Sequence, residues 1–221
     1  MDEKIFFLNY FFNGILLFAS IYSPLVDLIM ILIYIFEGRF SNYLPTVSET
    51  STEYLNNIIS FLQFSLVSIS STFSFIIISI YMFSRYTISK FTKNIIIFII
   101  IITLFFYNSI PVYPCNTMPI QHYVATLTGF ICVIIFQFIV TFITMKGNDT
   151  SKFKSFRRLV YSIGMLLSLI LTSISSRMIR TRINVTMSTL GEYMIAILFC
   201  LFILSFYHDV KHLRIGIKFD N

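Results

Sequence analysis

Residues 90–114 read KFTKNIIIFIIIITLFFYNSIPVYP, and this stretch decides the fold. From Ile95 to Ile110 no side chain is charged, Lys90 and Lys93 stand before the run, and Pro111 and Pro114 close it. A bilayer offers backbone amides no partner, so an apolar segment that crosses one must bond within itself as a helix. The β-branched isoleucines are no obstacle in that solvent. The alternating polarity of a membrane barrel strand is missing.

The same pattern recurs on both sides. Apolar runs extend over Phe11–Phe36, Ile58–Phe83, Ile95–Ile110, Tyr123–Met145, Leu159–Ser176 and Met187–Tyr207. A crossing takes roughly 17–25 apolar residues, and the third and fifth runs are the shortest against that measure. Hydrophobic residues make up 57% of the 221 and charged ones 12%, and the mean hydropathy is +0.83. A water-soluble domain of this size has too little interior to hide so much apolar surface. The chain is therefore expected to be all-α: one polytopic domain, residues 1–221, folded as a six-helix transmembrane bundle with no separate soluble catalytic part. The first run is too long for a signal-peptide core and no small-residue cleavage site follows it, so it is expected to stay as a helix.

Charge sets the expected orientation. Twelve of the sixteen basic residues fall on one side of the six runs: Lys4, then Arg85, Lys90 and Lys93, then Lys146, Lys152, Lys154, Arg157 and Arg158, then Lys211, Arg214 and Lys218. The other side has Arg39, Arg177, Arg180 and Arg182. The positive-inside rule places both termini in the cytosol. The three arginines after the fifth run are the exception, read either as snorkelling side chains at a helix end or as an anion-binding patch. A net charge of +6 and a pI of about 9.2 would also suit nucleic acid. Because the cations sit in short clusters beside apolar spans, they read instead as topology signals touching anionic headgroups, and no nucleic-acid partner is expected.

Within the spans, small and polar residues stand out. Gly164, Ser168, Thr172 and Ser176 recur every four residues in the fifth run, a stripe that lets a neighbouring helix approach closely. Ser65, Ser68 and Thr72 form a looser version in the second. Asp27, three residues after Pro24, and Glu192, just after Gly191, are carboxylates inside apolar runs. Burying a lone charge in lipid is costly, so each is expected to face the bundle or an interface, or to be protonated. Glu192 lies toward the same side as Arg177, Arg180 and Arg182, and either pairs with one of them to hold spans five and six together or helps grip a polar headgroup.

Soluble-enzyme signatures are missing: there is no Walker loop, dinucleotide fingerprint or nucleophile elbow. His208 and His212 could share a helix face but have no third convergent ligand, so neither metal nor cofactor is expected. Cys115, Cys132 and Cys200 have neither metal-site nor disulfide spacing and read as structural thiols.

The link after the first span reads Asn42-Tyr43-Leu44-Pro45-Thr46-Val47-Ser48-Glu49-Thr50, with extended backbone imposed at Leu44 by Pro45. This pattern resembles the first lumenal loop of the Frag/Dram/Sfk family of six-span membrane proteins, and Asn42-Tyr43-Leu44-Pro45 is most similar to its post-GPI-attachment factor branch. Pro24-Leu25-Val26, Arg85-Tyr86, Gly191-Glu192-Tyr193 and the tail from Phe206 to Arg214 resemble family features in the same order. The resemblance implies the six-span fold and a part in maturing GPI-anchored proteins at the Golgi or endoplasmic reticulum, where GPI lipid is reacylated. The chain would perform or assist that acyl transfer. Its partners would be membrane lipid and GPI-anchored proteins. The headgroup-binding candidates are then Asn42 and Ser48 in the loop, Arg177 and Glu192 near the lumenal ends of spans five and six, and Asp27. Arginine suits a phosphate because its planar fork donates two hydrogen bonds. Two other classes stay open. One is a lysosomal autophagy-modulator-like protein. The other is a small transporter or channel, disfavoured because no inverted repeat is evident and few polar residues could line a path.

Overall fold

The computed structural model describes the backbone of residues 2–36, 38, 46, 54–110, 112–113, 117–147, 151–176 and 181–211, and their side chains except for residues 2–10, 23, 54–61, 63 and 64. The elements are α1 (Asp2–Phe36), α2 (Tyr54–Arg85), α3 (Lys90–Ser109), α4 (Pro119–Lys146), α5 (Lys152–Ser175), α6 (Arg182–Leu204) and a closing turn α7 (Tyr207–Val210), with no strand among the described residues. Six helices are long and apolar enough to cross a membrane, the architecture of a multi-pass membrane protein.

Helices outrun the apolar stretches that announce them. α3 starts at Lys90, where Ser89 Oγ accepts the Thr92 N–H at 3.1 Å. α6 starts at Arg182, where Thr181 Oγ1 accepts the Asn184 N–H at 3.3 Å. Hydropathy marks the part of a helix suited to lipid, whereas caps and turns decide where its hydrogen bonding begins. The two shortest runs thereby become helices of 20 and 24 residues, and about 1.5 Å of rise per residue brings each to spanning length.

Each helix packs on its neighbour in chain order, and α6 returns to α1, closing a ring. The α5–α6 pair makes the most extensive contact. Short links make such neighbours antiparallel. The α5–α6 register shows it: Arg158 meets Ser205, Gly164 faces Leu198, and Thr172 reaches Ser188 and Gly191.

Aromatic rings from four helices fill the middle. Phe75 of α2 lies 4.3 Å from Phe136 of α4 and 5.9 Å from Phe199 of α6, centroid to centroid. Tyr107 of α3 meets Phe130 of α4 at 5.7 Å and Phe199 at 6.4 Å. These separations suit the tilted and edge-on geometries that aromatic quadrupoles favour. The outside is as apolar as the inside. Leu25 and Leu28 on α1, Phe98 and Phe105 on α3, and Leu167 and Ile174 on α5 all point outward. A protein in water rarely exposes continuous apolar surface on this scale. Polar groups instead turn inward: Gln137, Thr141, Thr144, Arg158, Ser162 and Thr189 are fully buried. Gln137 Nε2, for example, lies 3.4 Å from Met165 Sδ of α5.

Candidate functional site

The small-residue stripe of α5 is a helix–helix seam. A Cβ on Gly191 of α6 would collide with Thr172 Oγ1 and come within 3.0 Å of the Ser168 carbonyl oxygen, while one on Gly164 would come within 2.9 Å of Leu198 Cδ1. Thr172 Oγ1 donates to the Ser188 carbonyl at 3.4 Å. Glycine at 191 is therefore a matter of space: the backbones approach closely because neither brings bulk to the contact.

Glu192 follows Gly191 directly. It is half-buried on α6 and is not a free carboxylate. Some 13 residues of helix separate it from Ser205, about 20 Å along the axis. Asn42, Ser48 and Arg177 lie outside the described residues, so the grouping expected around Glu192 concerns those positions. Arg182 is described and exposed at the first position of α6.

Asp27 belongs to α1 and is not one of the residues that form the α5–α6 seam. It is buried on α1 at 8% exposure and interacts electrostatically with Tyr107 of α3 and Cys200 of α6. The thiol of Cys200 lies 3.9 Å from the Ala19 carbonyl, back on α1. This carboxylate thus faces the bundle interior, as the cost of a lipid-exposed charge demands. Cys132 and Cys200 are free thiols.

The most developed polar cluster is one that topology-signal reasoning passes over. Arg158 of α5, grouped by sequence with cations that touch lipid headgroups, is completely buried. Its Nε donates to Ser205 Oγ at 3.0 Å, and its Nη2 donates to the Ser205 carbonyl at 2.9 Å and to Asp209 Oδ2. Lys154, one turn earlier, donates to Asp209 Oδ1 at 2.7 Å. The guanidinium lies over the Phe206 ring, 3.5 Å from its centroid. Tyr81 of α2 meets Phe206 edge-on, and Tyr86 meets Tyr81. The Tyr86 ring occupies the space a Cβ on Gly147 would need, which ties the end of α4 into the same cluster.

Two cations therefore share one carboxylate, with a guanidinium stacked on an aromatic face. A buried ion needs such partners, and removing Asp209 would strand Arg158, whose Nη1 makes no hydrogen bond among the described residues. The signal that could have found it is periodicity: Ser155, Arg158, Ser162, Met165 and Leu169, spaced by three and four, form the buried face of α5. Arg158 lies on that inward stripe, and among the described residues the carboxylate at the exit of α6 is Asp209.

No family model, curated protein or solved structure matches the chain.

Proposed function

We propose that this protein is a GPI-anchor lipid-remodelling factor of the Golgi or endoplasmic reticulum membrane, performing or assisting acyl transfer onto GPI lipid and supporting surface expression of GPI-anchored proteins. Both termini face the cytosol in this reading, following the twelve-to-four division of basic residues. The observation that carries the site is Glu192, a half-buried carboxylate within an apolar helix beside the tight α5–α6 seam, at the end away from the Arg158 cluster. A carboxylate there can accept hydrogen bonds from the hydroxyl and ammonium groups of a glycolipid headgroup. Arg177, Asn42 and Ser48 are the groups proposed to complete the grip. The loop pattern Asn42 to Ser48 supports the GPI branch of the resemblance.

The aromatic packing at the centre of the ring favours lateral handling of lipid over a central conduit. Deleting the gene should lower surface GPI-anchored proteins and alter the acyl composition of their lipid. Unchanged surface level and lipid composition, with the protein residing at lysosomes, would replace this reading with the autophagy-modulator one.

A further inference from the structure

Toward the basic end of the bundle, five buried side chains each carry an atom with no hydrogen-bond partner among the described residues. They are Ser79 Oγ of α2, Gln137 Oε1 and Thr141 Oγ1 of α4, and Ser155 Oγ and Arg158 Nη1 of α5. None of the five residues is more than 4% exposed. They lie three to nine residues in from Arg85, Lys146 and Lys152, the helix termini at that end. At 1.5 Å of rise per residue, all five stand about 5–14 Å along the axis from it. The termini are level, because the Tyr86 ring takes the space of a Cβ on Gly147 and α5 starts five residues after Gly147. The three helices meet through side chains near this depth: Phe75 packs on Phe136, and Gln137 Nε2 lies 3.4 Å from Met165 Sδ. Phe75 and Phe136, each ten residues in, form with Phe199 an aromatic layer just beyond this polar band.

The guanidinium is planar and rigid, and its Nε and Nη2 both turn to Ser205 of α6. Nη1 stands on the opposite edge and so turns away from Ser205. A buried polar group without a partner is costly, and a charged one more so. The groups of the band make opposite demands on what meets them. Nη1 can only donate, Gln137 Oε1 can only accept, and the three hydroxyls do either. A halide would serve Arg158 and leave Gln137 unpaired. A metal ion would serve Gln137 and be repelled by the guanidinium. Water both gives and takes hydrogen bonds, and it is the usual partner of polar groups that a folded chain cannot pair internally.

We propose that this band is an internal water-binding site, in which about two waters, at the roughly three hydrogen bonds usual for a buried water, join Arg158 Nη1 to Gln137 Oε1 by way of the Ser79, Thr141 and Ser155 hydroxyls. The assignment is independent of the GPI reading, which concerns Glu192. Purified full-length protein in detergent should be given a brief pulse of ionising radiation. Hydroxyl radicals then form from water in place and oxidise the side chains beside it. Met165 is the reporter, fully buried with its sulfur next to the Gln137 amide, and Met30 of α1, 2% exposed, is the buried reference. Met165 should oxidise several-fold faster than Met30, and Gln137→Leu should slow it to the pace of Met30. Thr141→Val keeps the shape of the side chain and removes its hydroxyl. Where water is bound, that change loses a hydrogen bond and should lower the unfolding midpoint by about 2–4 °C, whereas in dry packing it removes an unpaired hydroxyl and raises the midpoint. A cooperative transition shows that each variant is folded. Met165 oxidised no faster than Met30, or an unchanged or raised midpoint in Thr141→Val, overturns the proposal.

Discussion

The two ends of the bundle solve the problem of charge in an apolar setting differently. At the basic end, Arg158 is wholly buried and paired within the protein: Ser205 and Asp209 take up its Nε and Nη2, the Phe206 ring covers its face, and Lys154 shares the same carboxylate, while Nη1 makes no hydrogen bond among the described residues. Toward the other end, Glu192 is only half-buried, set beside a seam made close by Gly191, Ser168 and Thr172. A buried ion paired within the protein is a device for holding helices. A half-exposed carboxylate at a tight seam is within reach of groups outside the protein. The contrast teaches that a charge's access to its surroundings, rather than its presence in an apolar helix, separates a structural role from a candidate site.

The largest expected effects concern the frame of this comparison. If the basic end faces the cytosol, protease-accessible tags at both termini are cut from the cytosolic side in selectively permeabilised cells. Tags cut on opposite sides would break the six-span arrangement. The sequon Asn184-Val185-Thr186 lies in the first turn of α6, with the Asn184 backbone N–H donating to Thr181 Oγ1 and Thr186 Oγ1 donating to the Arg182 carbonyl at 2.8 Å. Its glycosylation should be inefficient even where the lumen is reached, and Asn148 should carry no glycan. Glycan on Asn148 would invert the orientation.

Next in size is the Arg158 lock. Asp209→Leu strands the fully buried Arg158 and should destabilise by about 3–5 kcal/mol, seen as loss of folded protein. Combining it with Arg158→Met should restore most of the yield, because no uncompensated guanidinium is left inside and the side chain of Lys154 reaches water. A double variant as poor as the single one would mean that the cluster holds the helices by more than ion pairing. The seam comes third. Ser168→Phe should cost about 1–3 kcal/mol by overpacking and lower the unfolding temperature. A wild-type midpoint would show that the α5 stripe does not set the approach of α6.

Sequence reveals these regions unequally. The bundle was legible because apolar runs of spanning length have few alternatives, and the α5 stripe because small residues four apart share a helix face. Helix starts at Lys90, Lys152 and Arg182 were not, since hydropathy is silent about caps. The lock joins Arg158 to Asp209 across 51 positions, and positive-inside reasoning counts such cations without asking which way they point. The three-and-four spacing of Ser155, Arg158, Ser162 and Met165 held that information. Glu192 and Asp27 were legible as candidates because carboxylates in apolar runs are conspicuous. That Asp27 turns inward, within electrostatic reach of Tyr107 and Cys200, depends on packing between helices distant in sequence.

The smallest structural change carries the sharpest test. Glu192→Gln keeps the shape and much of the hydrogen bonding while removing the charge, so the protein should remain as abundant as wild type. Surface retention of GPI-anchored proteins should be measured in a deletion background, normalised to the amount of each variant present. The account predicts that normalised rescue falls for Glu192→Gln and stays full for the Arg158→Met, Asp209→Leu pair. Full normalised rescue by Glu192→Gln would contradict it and leave that carboxylate a packing element of the α5–α6 seam.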